Sequence, residues 1–150
     1  MVTTPENCAL YKKSFANTTQ KLSGTAALAL LATATTAADW SCNKSGGGGH
    51  DTLKRLHGQF NRLFGTPNLN IASQQCYVVK CYDHYFGVCN HAGVTQFERS
   101  GDRNAAKNAN PEGGSGCGIT PSPISEPYLS YIYTRVNHVS LSPKTDVRSC

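Results

Sequence analysis

Seven cysteines in a chain of 150 residues limit its possible folds more than any other feature of the sequence. Six of them, Cys42, Cys76, Cys81, Cys89, Cys117 and Cys150, follow residue 38, and only Cys8 precedes it. An even set of cysteines in a short chain reads as a disulfide framework, which persists in oxidising compartments and not in the cytosol. The sequence alone leaves the pairing open, with one geometric restriction. If Cys76 to Tyr82 is a strand, Cys76 and Cys81 lie an odd number of residues apart and point to opposite faces, so each needs a different partner.

The N-terminus bears on the compartment. Lys12, Lys13 and Lys21 precede the run Ala26-Ala27-Leu28-Ala29-Leu30-Leu31-Ala32, and small-residue sites follow at Ala32-Thr33-Ala34 and Thr36-Ala37-Ala38. This order of basic, apolar and small residues predicts a signal peptide over 1–38 and a single secreted, cysteine-rich domain over 39–150. Cleavage there removes Cys8 with the leader and lowers the net charge from +5 to +3. The apolar run is too short and too rich in threonine to span a bilayer, which takes about 20 apolar residues. Charge this modest also argues against a nucleic-acid partner, since such modules concentrate basic residues on one face.

Past the leader, Asn43-Lys44-Ser45 is a glycosylation acceptor in a secreted chain, and Gly46 to Gly49 read as a flexible connector. Leu53, Leu56, Phe60, Leu63 and Phe64 then recur at helical spacing. Asp51 suits the N-cap, and Gly65 with Pro67 supplies the stop. The other side of this helix carries Lys54, Arg55, His57 and Arg62, a basic stripe expected to face solvent and to offer a binding surface. Strands are predicted at 68–71, 76–82, 85–89, 94–97 and 128–136, the middle three forming a meander. Residues 100–127 read as a long loop stapled at Cys117, with a helical turn at 102–108. Cys150 is expected to tether a polar tail. The fold class is therefore α+β, a small disulfide-stabilised antiparallel sheet with one main amphipathic helix packed on it as an α/β sandwich.

Few residues offer chemistry. Cys76, Cys81, His84, Cys89 and His91 crowd into sixteen positions, and His84 to Cys89 has the spacing of half a zinc knuckle. The other half fails, because four residues separate Cys76 from Cys81 where a knuckle has two; a strand also throws successive donors to opposite faces, so no metal or cofactor is expected. Acid–base cleavage of RNA would need a histidine, a carboxylate and an arginine on one phosphodiester, and His84 or His91, Glu98 and Arg99 are the residues available. Glu98 and Arg99 follow one another at a strand end and are expected to face opposite sides. Tyrosines at 77, 82, 85, 128, 131 and 133 are expected to divide between core and an exposed aromatic surface.

The leader, Trp40-Ser41-Cys42, the glycine-rich connector, the amphipathic helix, Cys76-x4-Cys81-x7-Cys89-Asn90 and the terminal cysteine together resemble the small secreted cysteine-rich proteins of filamentous fungi. Several of those are effectors or killer-toxin-like proteins. The resemblance implies helices packed on an antiparallel sheet, and it carries over no catalytic residue. The expected function is that of a secreted, extracellular, non-enzymatic effector or toxin that binds a host or competitor protein or cell surface. A secreted ribonuclease using His, Glu and Arg is the alternative, and a zinc-knuckle-like nucleic-acid binder is the reading for a cytosolic chain.

Overall fold

The computed structural model describes residues 38–121 and 129–150. The signal-peptide expectation falls on 1–38 and so lies almost wholly outside them, as does Tyr128. The helical periodicity becomes α1, Gly49–Phe64. Leu53, Leu56 and Phe60 are fully buried, and Leu63 and Phe64 pack at the margin of the core. Asp51 is not the N-cap: that position falls three residues earlier, at Gly48, and no side chain caps the helix, which leaves Asp51 in the first turn where its charge suits the helix dipole.

Eight strands follow the chain order β1 Ser41–Ser45, β2 Asn70–Ile71, β3 Cys76–Cys81, β4 His84–Asn90, β5 Gln96–Phe97, β6 Gly114–Ile119, β7 Leu129–Arg135 and β8 Asp146–Ser149. A second helix, α2, spans Asp102–Asn108 and coincides with the helical turn expected there. Six strands form one sheet in the order β1-β6-β7-β4-β3-β8, antiparallel throughout except that β8 runs parallel to β3. The fold class is thus the expected α+β one, with three disulfides. Alternation places Tyr77, Val79 and Cys81, Phe86 and Val88, and Tyr131 and Tyr133 on one face, where they meet Leu53, Leu56 and Phe60 of α1. Phe60 meets Phe86 edge to face, with ring centroids 5.6 Å apart.

The meander ends one strand sooner than expected. Residues 96–97 leave the main sheet and pair with β2 in a separate two-stranded ribbon. Asn90 enforces this departure: its Nδ2 donates to the carbonyls of Ile71, Ala72 and Val94 and so closes the loop into itself. Three strands were not expected: β1 ends in the glycosylation acceptor, β6 lies in the predicted loop and β8 in the predicted tail, and none carries a run of β-branched or aromatic residues. In β6 the glycines permit the pairing. A Cβ at Gly114 would lie 2.4 Å from Cys42 Sγ, and one at Gly116 would lie 2.1 Å from Asn43 Oδ1. The connector is likewise held, since Gly47 N donates to Gly113 O at 2.8 Å.

The cysteines pair as Cys42–Cys117, Cys76–Cys89 and Cys81–Cys150. Cys76 and Cys81 thus take different partners, and each bridge joins neighbouring strands or, for Cys150, the residue that follows β8. Both edge strands are polar and largely exposed, and each is tied by a disulfide. Burial of the helix face is testable directly. Phe60→Ala is expected to cost about 3–5 kcal/mol in urea unfolding, while Lys54→Ala, on the exposed side, costs less than about 0.5 kcal/mol. Equal losses at the two positions would mean that the helix packs by another face.

Candidate functional site

Glu98 is 2% exposed and sits beneath α1 with Arg103 of α2, which is fully buried. Arg103 Nε donates to Glu98 Oε1 at 2.7 Å, and Nη2 donates to Oε2 in a second, short contact. Tyr131 Oη donates to Oε1 at 2.7 Å, and the Leu69 amide reaches Oε2 at 3.4 Å. The remaining guanidinium nitrogen, Nη1, donates to Asn61 Oδ1 and Gly65 O, both at 2.6 Å. A carboxylate with both oxygens engaged and no route to solvent holds structure together and does not shuttle protons. Burial, reinforced by the negative Glu98, pushes the Tyr131 hydroxyl well above its usual range, so it stays a donor.

The four residues that acid–base chemistry would require do not form one site. Arg99 is exposed and Glu98 buried, as their alternation implied. His84 and His91 bracket β4, which at about 3.3 Å per residue sets them roughly 20 Å apart. His84 is 4% exposed, stacks on Tyr133, and shares its Nδ1 with the Tyr82 carbonyl at 2.6 Å. His91 Nε2 lies 2.5 Å from Ser130 Oγ, whereas Glu98 bonds Tyr131, and those successive residues point to opposite faces of the sheet. Among the described residues no group of three or more His, Cys, Asp or Glu could hold a metal ion, and the cysteines of the zinc-like cluster are all in disulfides.

The basic stripe divides. Lys54, Arg55 and Arg62 stand exposed on α1, but His57 does not: it is 8% exposed and turned toward Phe86, with ring centroids 6.2 Å apart. This corrects the expectation of a four-residue surface. The sequence alone could not place His57, because it falls at the boundary of the apolar arc, where a neighbouring element decides its exposure. Here the cations of α2 border it. Desolvation, then Lys107 and Arg103, lower its pKa from 6.5 to about 4, against a smaller opposing effect of Glu98.

The exposed cations form a surface with aromatic rings that the sequence did not associate with them. Arg55 lies over Tyr82, 4.1 Å from the ring centre, and Gln59 Nε2 reaches Tyr82 Oη at 3.5 Å. At the C-terminal end of α1, Arg148 of β8 lies over Phe64, also at 4.1 Å, donates to Leu63 O, and pairs with Asp146 at 3.2 Å. Tyr82 and Asp83 are the two central residues of the β3–β4 hairpin, both at positive φ, 52° and 57°. Asn-Gly is the common solution for such a turn, and a tyrosine there is held in a costly conformation. Tyr82 is nonetheless 46% exposed. Strain around an exposed ring is a mark of function more than of packing. Asn43, the glycosylation candidate, is exposed on β1, away from the core. A concavity of about 470 Å³ beside β1 mixes Asp39 and Glu112 with Lys44 and so offers no single charge to a ligand.

His57 yields a pH dependence with a definite sign. Its folded pKa lies below the unfolded 6.5, so the unfolded chain takes up the proton first and stability falls as pH drops from about 6.5 to about 4. The loss expected from this one residue is about 2–3 kcal/mol. A His57→Gln variant should show a visibly flatter fall in melting temperature across that window, and an unchanged slope would place the titrating group elsewhere.

The chain matches no protein-family model, no curated protein and no solved structure, so the residues of the cation–aromatic face and of the buried acid–arginine pair are what bear on function.

Proposed function

We propose that this is a secreted effector or toxin-like protein that acts by binding a host or competitor target and not by catalysis. The observation that carries the reading is the cation–aromatic face, where Arg55 rests on a strained and exposed Tyr82 while Arg62 continues the row. Arginine and tyrosine are the residue types enriched where proteins recognise one another or a surface. Three disulfides suit an oxidising environment, and no helix among the described residues is long and apolar enough to cross a membrane. Glu98, the acid a ribonuclease would need, is spent on Arg103 and Tyr131.

Oxidised protein incubated with RNA is expected to leave it intact. In a growth-inhibition or tissue-response assay, the Arg55→Gln/Arg62→Gln double variant is expected to lose activity by about tenfold or more, while His91→Ala and Arg99→Ala match the unmodified protein. RNA turnover abolished by His91→Ala would overturn the binding reading in favour of catalysis.

A further inference from the structure

We infer that Asn43 carries an N-linked oligosaccharide which covers the open β1 edge of the sheet; the inference rests on the secreted reading above and adds a modification to it. Asn43-Lys44-Ser45 supplies the acceptor amide and a hydroxyl two residues on, with no proline between them, and no other asparagine of 39–150 stands in that pattern. The place of this tripeptide in the fold adds what the pattern alone lacks. All five residues of β1 are exposed. Asn43 alternates with Cys42, whose sulfur joins the buried Cys117, so its side chain stands on the face of the sheet away from α1. Among the described residues its carboxamide makes no hydrogen bond, so substitution on Nδ2 breaks no contact. The opposite backbone makes room for the amide: the pairing runs Cys42 with Cys117 and Lys44 with Ser115 but skips Asn43 and Gly116, and Gly116 takes a φ of +61°. A Cβ there would lie 2.1 Å from Asn43 Oδ1 and 3.7 Å from Nδ2, so the oxygen seats toward β6 and the nitrogen that takes the sugar stays farther off.

Folding order keeps the site open when it must be modified. The donor is an oligosaccharide held on a lipid diphosphate. Nδ2 attacks the anomeric carbon, the new N–C bond forms as the C–O bond to the diphosphate breaks, the lipid diphosphate leaves with the electron pair, and the amide gives up one proton. Such a transfer needs an extended, unpaired acceptor. Among the described residues the one strand beside β1 is β6, and Cys42 bonds Cys117, 75 residues further along the chain. At about 5–20 residues per second, β6 follows β1 out of the ribosome by roughly 4–15 s. Through that interval β1 has neither its ladder partner nor its disulfide partner. A local hairpin such as β3–β4 closes within microseconds of emerging and would leave no comparable interval.

The fold also gives the oligosaccharide a task. An open sheet edge is a template for another chain unless something blunts it. At one edge β8 is four residues long and carries Asp146 and Arg148, whereas β1 at the other has five residues and Lys44 as its single charge. A branched sugar on the central residue of β1 keeps a second strand from lying alongside. It leaves recognition untouched, because β1 is four strands from β3, about 19 Å at about 4.8 Å per strand, and Arg55 and Tyr82 stand at the far side of that distance.

The test expresses the full chain in a eukaryotic secreting cell and reads the mass of the protein recovered from the medium, before and after treatment with a peptide N-glycosidase. A discrete loss of mass is expected, with an aspartate left in place of Asn43. Neither Asn43→Gln nor Ser45→Ala should show that loss, and Ser45→Ala keeps the asparagine, so it separates acceptor recognition from the mere exposure of an amide. Cover of the edge is read by sedimentation. Asn43→Gln should melt at nearly the same temperature as the glycoprotein and self-associate at concentrations about tenfold lower or less. Secreted, fully oxidised protein with Asn43 unmodified would overturn the inference and leave the binding reading standing. A glycoprotein that self-associates as readily as Asn43→Gln would overturn the edge role. A chain retained in the cell with free thiols would remove the secreted reading and the inference with it.

Discussion

The pairing of Glu98 with Arg103 beneath α1 is the interaction on which the arrangement of the rest depends. One guanidinium reaches the carboxylate that follows β5, the side chain of Asn61 and the carbonyl of Gly65 at the end of α1, and its plane lies over Phe60, 4.8 Å from the ring centre. One carboxylate reaches α2, Tyr131 of β7 and the Leu69 amide just before β2. Five elements are thus oriented by two side chains. Burying such a pair is costly unless its polar atoms find partners, and here every nitrogen of the guanidinium and both carboxylate oxygens have at least one. The same saturation withdraws Glu98 from chemistry, which leaves recognition to the outer side of the helix it anchors.

The disulfides solve a different problem. A sheet whose edge strands are short, polar and exposed gains little from burying them, and open edges invite pairing with other chains. Cys42–Cys117 holds β1 to β6, and Cys81–Cys150 holds the end of β8 beside β3. Each bridge closes a long loop, with sequence separations of 75 and 69, so each withdraws considerable freedom from the unfolded chain. The chain can therefore keep its edges hydrophilic and spend its limited apolar surface between α1 and the central strands.

What could be read from the sequence followed this division of labour. Elements held by apolar burial declare themselves: the spacing of Leu53, Leu56 and Phe60 locates α1, and the β-branched and aromatic runs locate β3, β4 and β7. Elements held by covalent bonds or close backbone approach do not, so the glycines of β6 looked like loop, the polar residues of β8 looked like tail, and those of β1 gave no strand signal. Strand alternation showed that Cys76 and Cys81 take different partners, but not which ones. The cationic side of α1 was legible at Lys54, Arg55 and Arg62, and failed at His57, whose ring turns toward Phe86 of β4 and is buried there. Tyr82 entered only as one of six tyrosines. Its place beside Arg55 follows from the two-residue turn at Tyr82 and Asp83, one residue earlier than the gap between the strands predicted at 76–82 and 85–89.

A double-mutant cycle on the buried pair tests the central claim, that Glu98 serves structure and not chemistry. Stability is measured by denaturant unfolding for Glu98→Gln, Arg103→Met and the combined variant. The two residues are expected to couple by about 2–3 kcal/mol, the combined variant being far less damaged than the single effects would sum to, because each single change strands a buried group that the other balances. Additive effects, each below about 0.5 kcal/mol, would mean that the pair is solvated and that Glu98 is free to act as an acid or base.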